Sequence, residues 1–481
     1  MLMADLKKAL LQSLLGKYTL YIVQMASLMV LARLIAPEAF GVVAAAQVLL
    51  MFFQTIGTSG LIPAIVYEEK VDSLLRDSVF SFSFGVGLVL AVFFLLFAPA
   101  LHQWFEFESG QFIFYLLSIG SFFAALSVMP MASLVKQSKF IKISQAEVFG
   151  ELFGLSGCLG VWFVSNNGLL ALGIRFTTIP VVRFCFYWWF SANTEIGRPR
   201  LGRQLGLVTQ LFNYAKYQIL FNVFNYFSRN LDNILIAKYF GASMLGVYEK
   251  TYQVMKYPLQ LFTFAITPAM QPVLTRYKSQ PTQIYHAFFK VASRLAVVGV
   301  FSSSVLYCTS TEVVFILFGP QWLEVAPLLG ILALSIPVQM IMSSTGGVFQ
   351  AFGKVREMLV CGVFSSVVTV SAIIYGIYLE SVLTLCVALV IAFHINYVQC
   401  LWMLQARIFK QGTQGFLIIT AILALTPLVL LMPDSVAPAT SHASLTLISS
   451  FLTIAIYTSV FGVLCAVIYA CLARFSRHLT V

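Results

Sequence analysis

The amino-acid sequence predicts an all-α polytopic membrane protein with about 14 transmembrane helices. The prediction depends on the composition, the spacing of apolar stretches and the distribution of basic residues between them. Of 481 residues, 60% are hydrophobic and 10% are charged, whereas about 25% of the residues in an ordinary soluble domain are charged. Most of the molecular surface must therefore face lipid.

Each transmembrane helix requires about 20 mostly apolar residues. Stretches of this kind predict helices at residues 14–35, 40–66, 79–100, 111–134, 145–165, 168–190, 211–238, 243–272, 286–308, 323–345, 357–378, 381–403, 415–432 and 445–472. The loops that fall on one side of such a bundle carry eighteen Lys or Arg residues, and those on the other side carry only Arg33 and Lys238. Because basic loops stay on the cytoplasmic side, both termini are predicted to be cytoplasmic.

An internal repeat divides the predicted helices into two groups of six. The segment LARLIAPEAFGV at 31–42 aligns with IAKYFGASMLGV at 236–247, which pairs Ala32 with Ala237 and Gly41 with Gly246 at an offset of 205 residues. Six helices separate the two segments, so the halves would have the same orientation, as in parallel-repeat transporters with a central cavity. The predicted units are residues 1–197 and 211–405, joined by a cytoplasmic linker at 198–210, with helices 13 and 14 in 406–481.

Charged side chains inside the predicted spans are the main functional signal. Apart from charges at the ends of the spans, nine are basic and four are acidic, and each charge at mid-bilayer costs about 2.5 kcal/mol or more unless it meets water, a partner or a substrate. The nine are Lys17, Arg175, Arg183, Lys216, Arg229, Lys250, Lys256, Lys290 and Arg294. Pairing with four carboxylates cannot neutralise them all, which favours an anionic cargo.

Helices 7 and 8 are predicted to form a hairpin that turns near Ala242. Arg229 and Lys256 would then lie at similar depth, about 20 Å from the turn at 1.5 Å per residue. One interpretation is a cationic lumen that binds phosphate oxygens, formed by Arg229, Lys250, Lys256, Lys17 and Arg175. The alternative is structural pairing of Arg229 with Asp232, and of Lys250 or Lys256 with Glu249.

Two further groups are spaced four residues apart. Lys290 and Arg294 on helix 9, and Glu147 and Glu151 on helix 5, form a cytoplasmic gate in one interpretation. In the other they are interfacial residues whose charges reach the cytoplasm, and Arg183 is interpreted in the same way. A carboxylate on helix 5 is also a candidate site for coupling to a proton or sodium gradient. The glycines of helix 5 predict close helix contact.

The sequence predicts no catalytic site, metal site or bound cofactor. The eight cysteines and five histidines lie singly, without the spacing of metal ligands. The net charge of +11 follows from membrane topology and the intramembrane cations, so it requires no nucleic-acid partner.

Several segments resemble one known family. They are LARLIAPEAFGVVAAA at 31–46, KQSKF at 136–140, RNLDNILIAKYFGASMLGVYEKTYQVMKYP at 229–258, FGPQWLEVAPLLGILAL at 318–334 and QAFGK at 350–354. They are similar to the polysaccharide transporters, or lipid-linked oligosaccharide flippases, of the multidrug/oligosaccharidyl-lipid/polysaccharide exporter superfamily. The similarity extends over most of residues 14–405 at the level of segment order.

The resemblance implies two six-helix bundles around a cavity that moves an undecaprenyl-pyrophosphate-linked oligosaccharide across a bacterial inner membrane. Such a flippase supplies lipopolysaccharide or exopolysaccharide biosynthesis. Its expected partners are membrane lipid, a polysaccharide polymerase and a chain-length regulator. An exporter of drugs or organic cations is the first alternative, but it would need an acidic cavity. A membrane-embedded polymerase or ligase is the second, but it would need a large outer loop, which the sequence lacks.

Overall fold

The structure is a computed structural model that describes residues 2–58, 61–68, 70–105, 110–263, 281–409, 419–420, 423 and 446–478. Every regular element within these ranges is helical, in agreement with the predicted class. The chain divides into two compact units, Met1–Gly246 and Val247–Val481. The predicted boundaries at 198–210 lie within the first unit and remain a prediction.

The first unit contains eight helices and the beginning of a ninth. They are α1 (Leu2–Leu34), α2 (Pro37–Thr58), α3 (Leu61–Tyr67), α4 (Ser73–Phe105), α5 (Gln111–Leu126), α6 (Val128–Lys136), α7 (Phe140–Ser165), α8 (Gly168–Ser191) and α9 (Val208–Thr263). Helices α5 and α6 together make one candidate span, Gln111–Lys136. Helix α8 packs against α2, α5, α6 and α7, and α7 also packs against α1. A cavity lies among α1, α2, α5, α6, α7 and α8.

A tight turn joins α7 to α8. Asn166 adopts a left-handed conformation at φ 50° and ends α7, which short polar side chains tolerate better than most. The side chain of Asn167 then accepts a hydrogen bond of 2.9 Å from the backbone N–H of Leu170. This bond satisfies one of the free donors in the first turn of α8. The two asparagines thereby set α7 and α8 side by side.

The second unit contains the rest of α9 and seven further helices. They are α10 (Pro281–Cys308), α11 (Ser310–Phe318), α12 (Val325–Ala333), α13 (Ile336–Ala351), α14 (Val355–Tyr378), α15 (Val382–Leu404) and α16 (Leu447–His478). Helix α10 packs against α12, α13 and α16, and α14 packs against α15. Helices α12 and α13 follow one another with a bend of 55° between them, and Pro337 lies in the first turn after the bend. Proline is favoured there because backbone N–H groups in the first turn of a helix have no partner within the helix, so the missing N–H of proline costs no hydrogen bond.

Nine helices among the described residues are long and apolar enough to cross a membrane, or ten if the bent pair is one span. The nine coincide with nine of the predicted helices, and the bent pair coincides with the helix predicted at 323–345. The predicted spans at 211–238 and 243–272 fall mostly on α9, which is helical but more polar, and the predicted span at 445–472 falls on α16. The span predicted at 415–432 lies almost entirely outside the described residues. The total of fourteen therefore stays a prediction.

Helix α9 is interrupted at one residue. Gly241 has φ 81° and ψ 176°, a region of backbone space that is essentially restricted to glycine. The interruption lies one residue before the turn predicted near Ala242. Glycine at this position allows the chain to change direction between two helical segments.

The residues that follow α8 are fixed along the beginning of α4. Arg76 donates to the carbonyl of Ile196 at 2.7 Å, and the carboxylate of Asp77 accepts from the backbone N–H of Arg200 at 2.9 Å. Gly202 donates its N–H to the hydroxyl of Ser81 at 2.7 Å. Val208 and Leu211, at the start of α9, are buried in the same apolar cluster as Leu75, Val79 and Ile196. Much of the predicted linker at 198–210 is therefore part of the first unit.

Candidate functional site

A buried carboxylate held between two guanidinium groups forms the centre of the candidate site. Glu151 on α7 is 3% exposed and accepts a bond of 2.8 Å from Arg175 Nη2 and one of 3.1 Å from Arg183 Nη2. Gln24 on α1 donates to the same carboxylate at 3.1 Å. A buried charge needs partners of this kind, because leaving it uncompensated in a low-dielectric interior costs several kcal/mol.

The local sequence explains why these side chains meet. Arg175 and Arg183 are eight residues apart on α8, about 12 Å along the helix axis, and they approach Glu151 from two directions. Gly150 and Gly154 face α8 and leave room for it, because a methyl group built on Gly150 would lie 2.9 Å from Arg183 Cγ. The predicted close packing at these glycines is thus confirmed, whereas Gly160 has no neighbouring side chain within 4 Å.

A cavity of about 460 Å³ lies beside this cluster within the first unit. Its polar lining consists of three amides, three hydroxyls, two carboxylates and one guanidinium, namely Gln24, Gln47, Gln54, Ser121, Ser127, Tyr187, Glu147, Glu151 and Arg183. Phe176, Ile179 and Pro180 contribute apolar surface from α8. The lining combines hydrogen-bond donors and acceptors with the partly exposed guanidinium of Arg183, which suits a polar, anionic molecule.

Positive charge is in slight excess around the cavity. Lys17 and Arg183 both interact electrostatically with Glu147, which also faces Glu151 one turn along α7. With Arg175, the group contains three cations and two carboxylates. The Nε atoms of Arg175 and Arg183 are buried and have no hydrogen-bond partner among the described residues. Both guanidinium groups therefore retain donor capacity beyond Glu151.

The predicted charges on α9 have different surroundings. Lys250 is 5% exposed and lies 3.2 Å from the carboxylate of its neighbour Glu249, as the structural alternative requires for this residue. Lys256 is exposed and lies 5.2 Å from the ring centroid of Tyr252. Asp232 is buried at 8% exposure. The side chain of Arg229 lies outside the described residues, so its role in the predicted lumen stays a prediction.

The predicted cytoplasmic gate divides into two different environments. Lys290 and Arg294 are exposed on α10, as expected for residues that reach an interface. The environments of Glu151 and Arg183 do not match the interfacial interpretation. Glu151 is almost fully buried, and Arg183 lines the cavity. The physical reason is their mutual pairing, which satisfies both charges inside the bundle. The gate itself stays a prediction.

Sequence reasoning did not identify the glutamines of the cavity. Gln24, Gln47 and Gln54 all lie within apolar stretches, and Gln47 and Gln54 are seven residues apart, which places them on one face of α2. Amides in a predicted span are a signal for an internal polar surface, although a weaker one than a charge. No group of His, Cys, Asp or Glu that could hold a metal ion occurs in the part of the chain that the structure describes.

Comparison with known proteins identifies relatives of the chain. The model of the polysaccharide biosynthesis protein family matches residues 30–327, more than half of the chain. The lipopolysaccharide biosynthesis protein WzxC of Escherichia coli (strain K12) is 21% identical over 72% of this chain and 70% of its own length. The succinoglycan biosynthesis transport protein ExoT of Rhizobium meliloti (strain 1021) is 23% identical over 78% and 76%. The teichuronic acid biosynthesis protein TuaB of Bacillus subtilis (strain 168) is 22% identical over 63% and 62%, less than two thirds of TuaB.

Solved structures show a shared fold. The lipid II flippase MurJ, in an inward closed conformation, covers 96% of this chain with a TM-score of 0.74 at 13% identity, and 99% of MurJ is matched. An inward-facing multidrug resistance MATE family transporter of the MOP superfamily covers 84% with a TM-score of 0.63, also at 13% identity, and 95% of that transporter is matched. The chain is a member of the polysaccharide biosynthesis protein family with the fold of the MOP superfamily of transporters, as its sequence motifs predicted.

Proposed function

We propose that this protein is a flippase that moves an undecaprenyl-pyrophosphate-linked oligosaccharide repeat unit across the bacterial inner membrane by alternating access. The observation that carries the proposal is the cavity of the first unit, which combines the guanidinium of Arg183, paired with Glu151, with amides and hydroxyls inside a bundle of apolar helices. A pyrophosphate needs cationic donors, and an oligosaccharide needs many neutral donors and acceptors. The cavity supplies both kinds of group in a member of the polysaccharide biosynthesis family.

Arg183 is the proposed contact for the pyrophosphate. Its side chain is 29% exposed, against 12% for Arg175, and it faces the cavity. A guanidinium carries five N–H donors in a planar fork that matches phosphate oxygens, and Glu151 occupies only part of this fork. Glu151 would hold the fork in place before the phosphate arrives, so less side-chain freedom is lost on binding.

The oligosaccharide part would bind the neutral lining. Gln24, Gln47 and Gln54 can each donate and accept hydrogen bonds. Sugar hydroxyls also donate and accept, so the two kinds of group are complementary. The ring of Phe176 offers an apolar surface beside them. We propose that the polyprenyl tail remains in lipid, because burial of such a chain inside a polar cavity would be unfavourable.

Glu147 is the proposed coupling group for a proton or sodium gradient. It lines the cavity and is flanked by Lys17 and Tyr21 from α1, by Arg183 and Tyr187 from α8, and by Glu151. A carboxylate that shares its surroundings with both a cation and a second carboxylate can change protonation when an anion enters. Transport that is unchanged by Glu147→Gln across proton and sodium gradients would remove this part of the proposal.

Residues outside the cavity also have proposed roles in transport. Arg229, Lys250 and Lys256 remain candidates for contact with the head group, and Lys290 with Arg294 for the cytoplasmic gate. We propose that both termini lie in the cytoplasm, as the distribution of loop charges predicts. The product would pass to a polysaccharide polymerase and a chain-length regulator, and we expect no enzymatic activity of the chain itself.

The test is complementation of a deletion strain that depends on the exported glycan. Arg183→Ala should strand lipid-linked units on the cytoplasmic side and lower surface polysaccharide, whereas Arg203→Ala, at an exposed arginine outside the cavity, should complement fully. Mass spectrometry of extracted lipids and protein abundance in the membrane are the readouts. Normal export by Arg183→Ala at normal abundance would refute the proposed role of this cavity. Accumulation of single units outside the cell on deletion would instead indicate a polymerase.

A further inference from the structure

The beginnings of two helical segments in the first unit touch each other backbone to backbone. A methyl group built on Gly41, in the first turns of α2, would overlap the carbonyl oxygen of Ala242 and lie 3.0 Å from the backbone N of Gly246. A methyl group built on Gly246 would overlap the carbonyl oxygen of Pro37 and lie 3.1 Å from the backbone N of Gly41. No other residue type leaves room for this approach.

The contact is reciprocal in the numbering of the internal repeat. Gly41 and Gly246 differ by 205 residues, and Pro37 and Ala242 differ by the same number. Gly41 contacts Ala242, which is the counterpart of Pro37. Gly246 contacts Pro37, which is the counterpart of Ala242. Reciprocal contact of this kind occurs where a two-fold axis passes through an interface, so the contact lies on the local pseudo-two-fold axis of the repeat.

The location of the contact defines which face of the membrane it closes. It joins the end of the α1–α2 turn to the residues that follow the interruption at Gly241. Arg33 and Lys238, the two basic residues predicted in loops away from the cytoplasm, lie next to these turns in the sequence. Lys238 donates to the carbonyl of Trp104, at the end of α4, at 2.8 Å. The contact therefore belongs to the side predicted to face away from the cytoplasm.

We infer that Gly41 and Gly246 form a glycine clasp that closes the outer side of the transporter and must separate when the cavity opens outward. The inference rests on the alternating access of the proposed function. Because the clasp consists of backbone atoms in contact, it adds no ion pair that has to be broken on opening. An added methyl group at either glycine would force the two backbones apart and destabilise the closed state, while leaving the open state unhindered.

Accessibility of the cavity from outside tests the clasp directly. A Cys-less variant carries Gln47→Cys, a cavity-lining position about 9 Å along α2 from Gly41, and spheroplasts are exposed to a membrane-impermeant maleimide. Gly41→Ala and Gly246→Ala should each raise the labelling rate on the order of tenfold, as expected for a modest overpacking penalty in the closed state. The double variant should label no faster than the singles, because both act on the same closure.

Gly160→Ala is the matched control, since this glycine also lies inside a helix but has nothing within 4 Å, and its labelling should equal that of the parent. Unchanged labelling in both clasp variants at normal abundance would overturn the inference. Loss of both variants from the membrane would also overturn it, because a contact that opens in every cycle cannot be essential for folding. Labelling requires no substrate, so the clasp and the proposed cargo can fail independently.

Discussion

Replacement of Glu151 by Gln is the most informative perturbation of the candidate site. The change keeps the size of the side chain and one acceptor oxygen but removes the charge that two guanidinium groups share, at 2.8 and 3.1 Å. Removing one partner of a buried ion pair costs about 3–5 kcal/mol. We expect the lower end, about 3 kcal/mol, because Arg183 is 29% exposed and water screens part of its charge.

Thermal unfolding in detergent measures this cost. For a unit of 150–250 residues, 1 kcal/mol shifts the melting temperature by about 2–4 °C, so Glu151→Gln should lower it by roughly 6–12 °C. Unfolding of a membrane protein is commonly irreversible, and the variants must therefore be compared at one heating rate. Addition of Arg183→Met should restore part of the loss, by about 0.5–3 kcal/mol, because it removes the uncompensated cation.

The matched control is the same substitution at an exposed ion pair. Glu357 lies 3.4 Å from Lys354 at the beginning of α14, and the two side chains are 21% and 43% exposed. Exposed pairs of this kind contribute little to stability, so Glu357→Gln should leave the melting temperature almost unchanged. A fall for Glu151→Gln no larger than for Glu357→Gln would refute the assignment of Glu151 as the shared counter-ion.

Three further predictions address the packing and the chemistry of the first unit. Gly154→Ala should lower the free energy of unfolding by about 1–3 kcal/mol, because the methyl group would meet a side chain of α8 at 2.5 Å. Gly160→Ala should leave it unchanged or raise it by up to about 1 kcal/mol, and equal melting temperatures of the two variants would contradict the close packing. Asn167→Ala should cost about 0.5–2 kcal/mol through loss of the α8 cap, and an unchanged melting temperature would show that the cap contributes nothing. Arg183→Lys should keep normal abundance but export less glycan than the parent, because the planar fork is lost; full export would show that charge alone suffices.

Hydropathy and local chemistry predicted much of the fold. The apolar stretches coincide with nine candidate spans in the described part of the chain, or ten if the bent pair α12 and α13 is one span, because lipid requires about 20 apolar residues per helix. The turn near Ala242 fell one residue from the interruption at Gly241. Close helix contact was predicted at the glycines of α7, and the structure identifies α8 as the partner at Gly150 and Gly154. These features depend on residues that are close together in the sequence, so they can be predicted from a single sequence.

The arrangement of the site was less accessible from sequence. Helices α7 and α8 are apolar on nearly all sides, so no pattern showed which face of each helix points inward. The span that carries Arg183 was predicted to within one residue, at 168–190 against Gly168–Ser191. Its bounds do not show which side chains of α8 line a cavity, so Arg183 was interpreted as a residue of the cytoplasmic edge. The pairing of Arg175 and Arg183 with one carboxylate depends on the packing of two helices, which spacing along either helix alone does not specify.

The hydrogen bonds between residues 196–202 and α4 indicate a position at which the chain can be divided into two fragments. A cut after Arg203, which is exposed, would leave a new carboxyl end held to Asp77 and Ser81 through Arg200 and Gly202. The new amino end would enter α9 through Val208, which is buried in the same cluster as Val79. Fragments 1–203 and 204–481, expressed together, should therefore reassemble into a functional split protein.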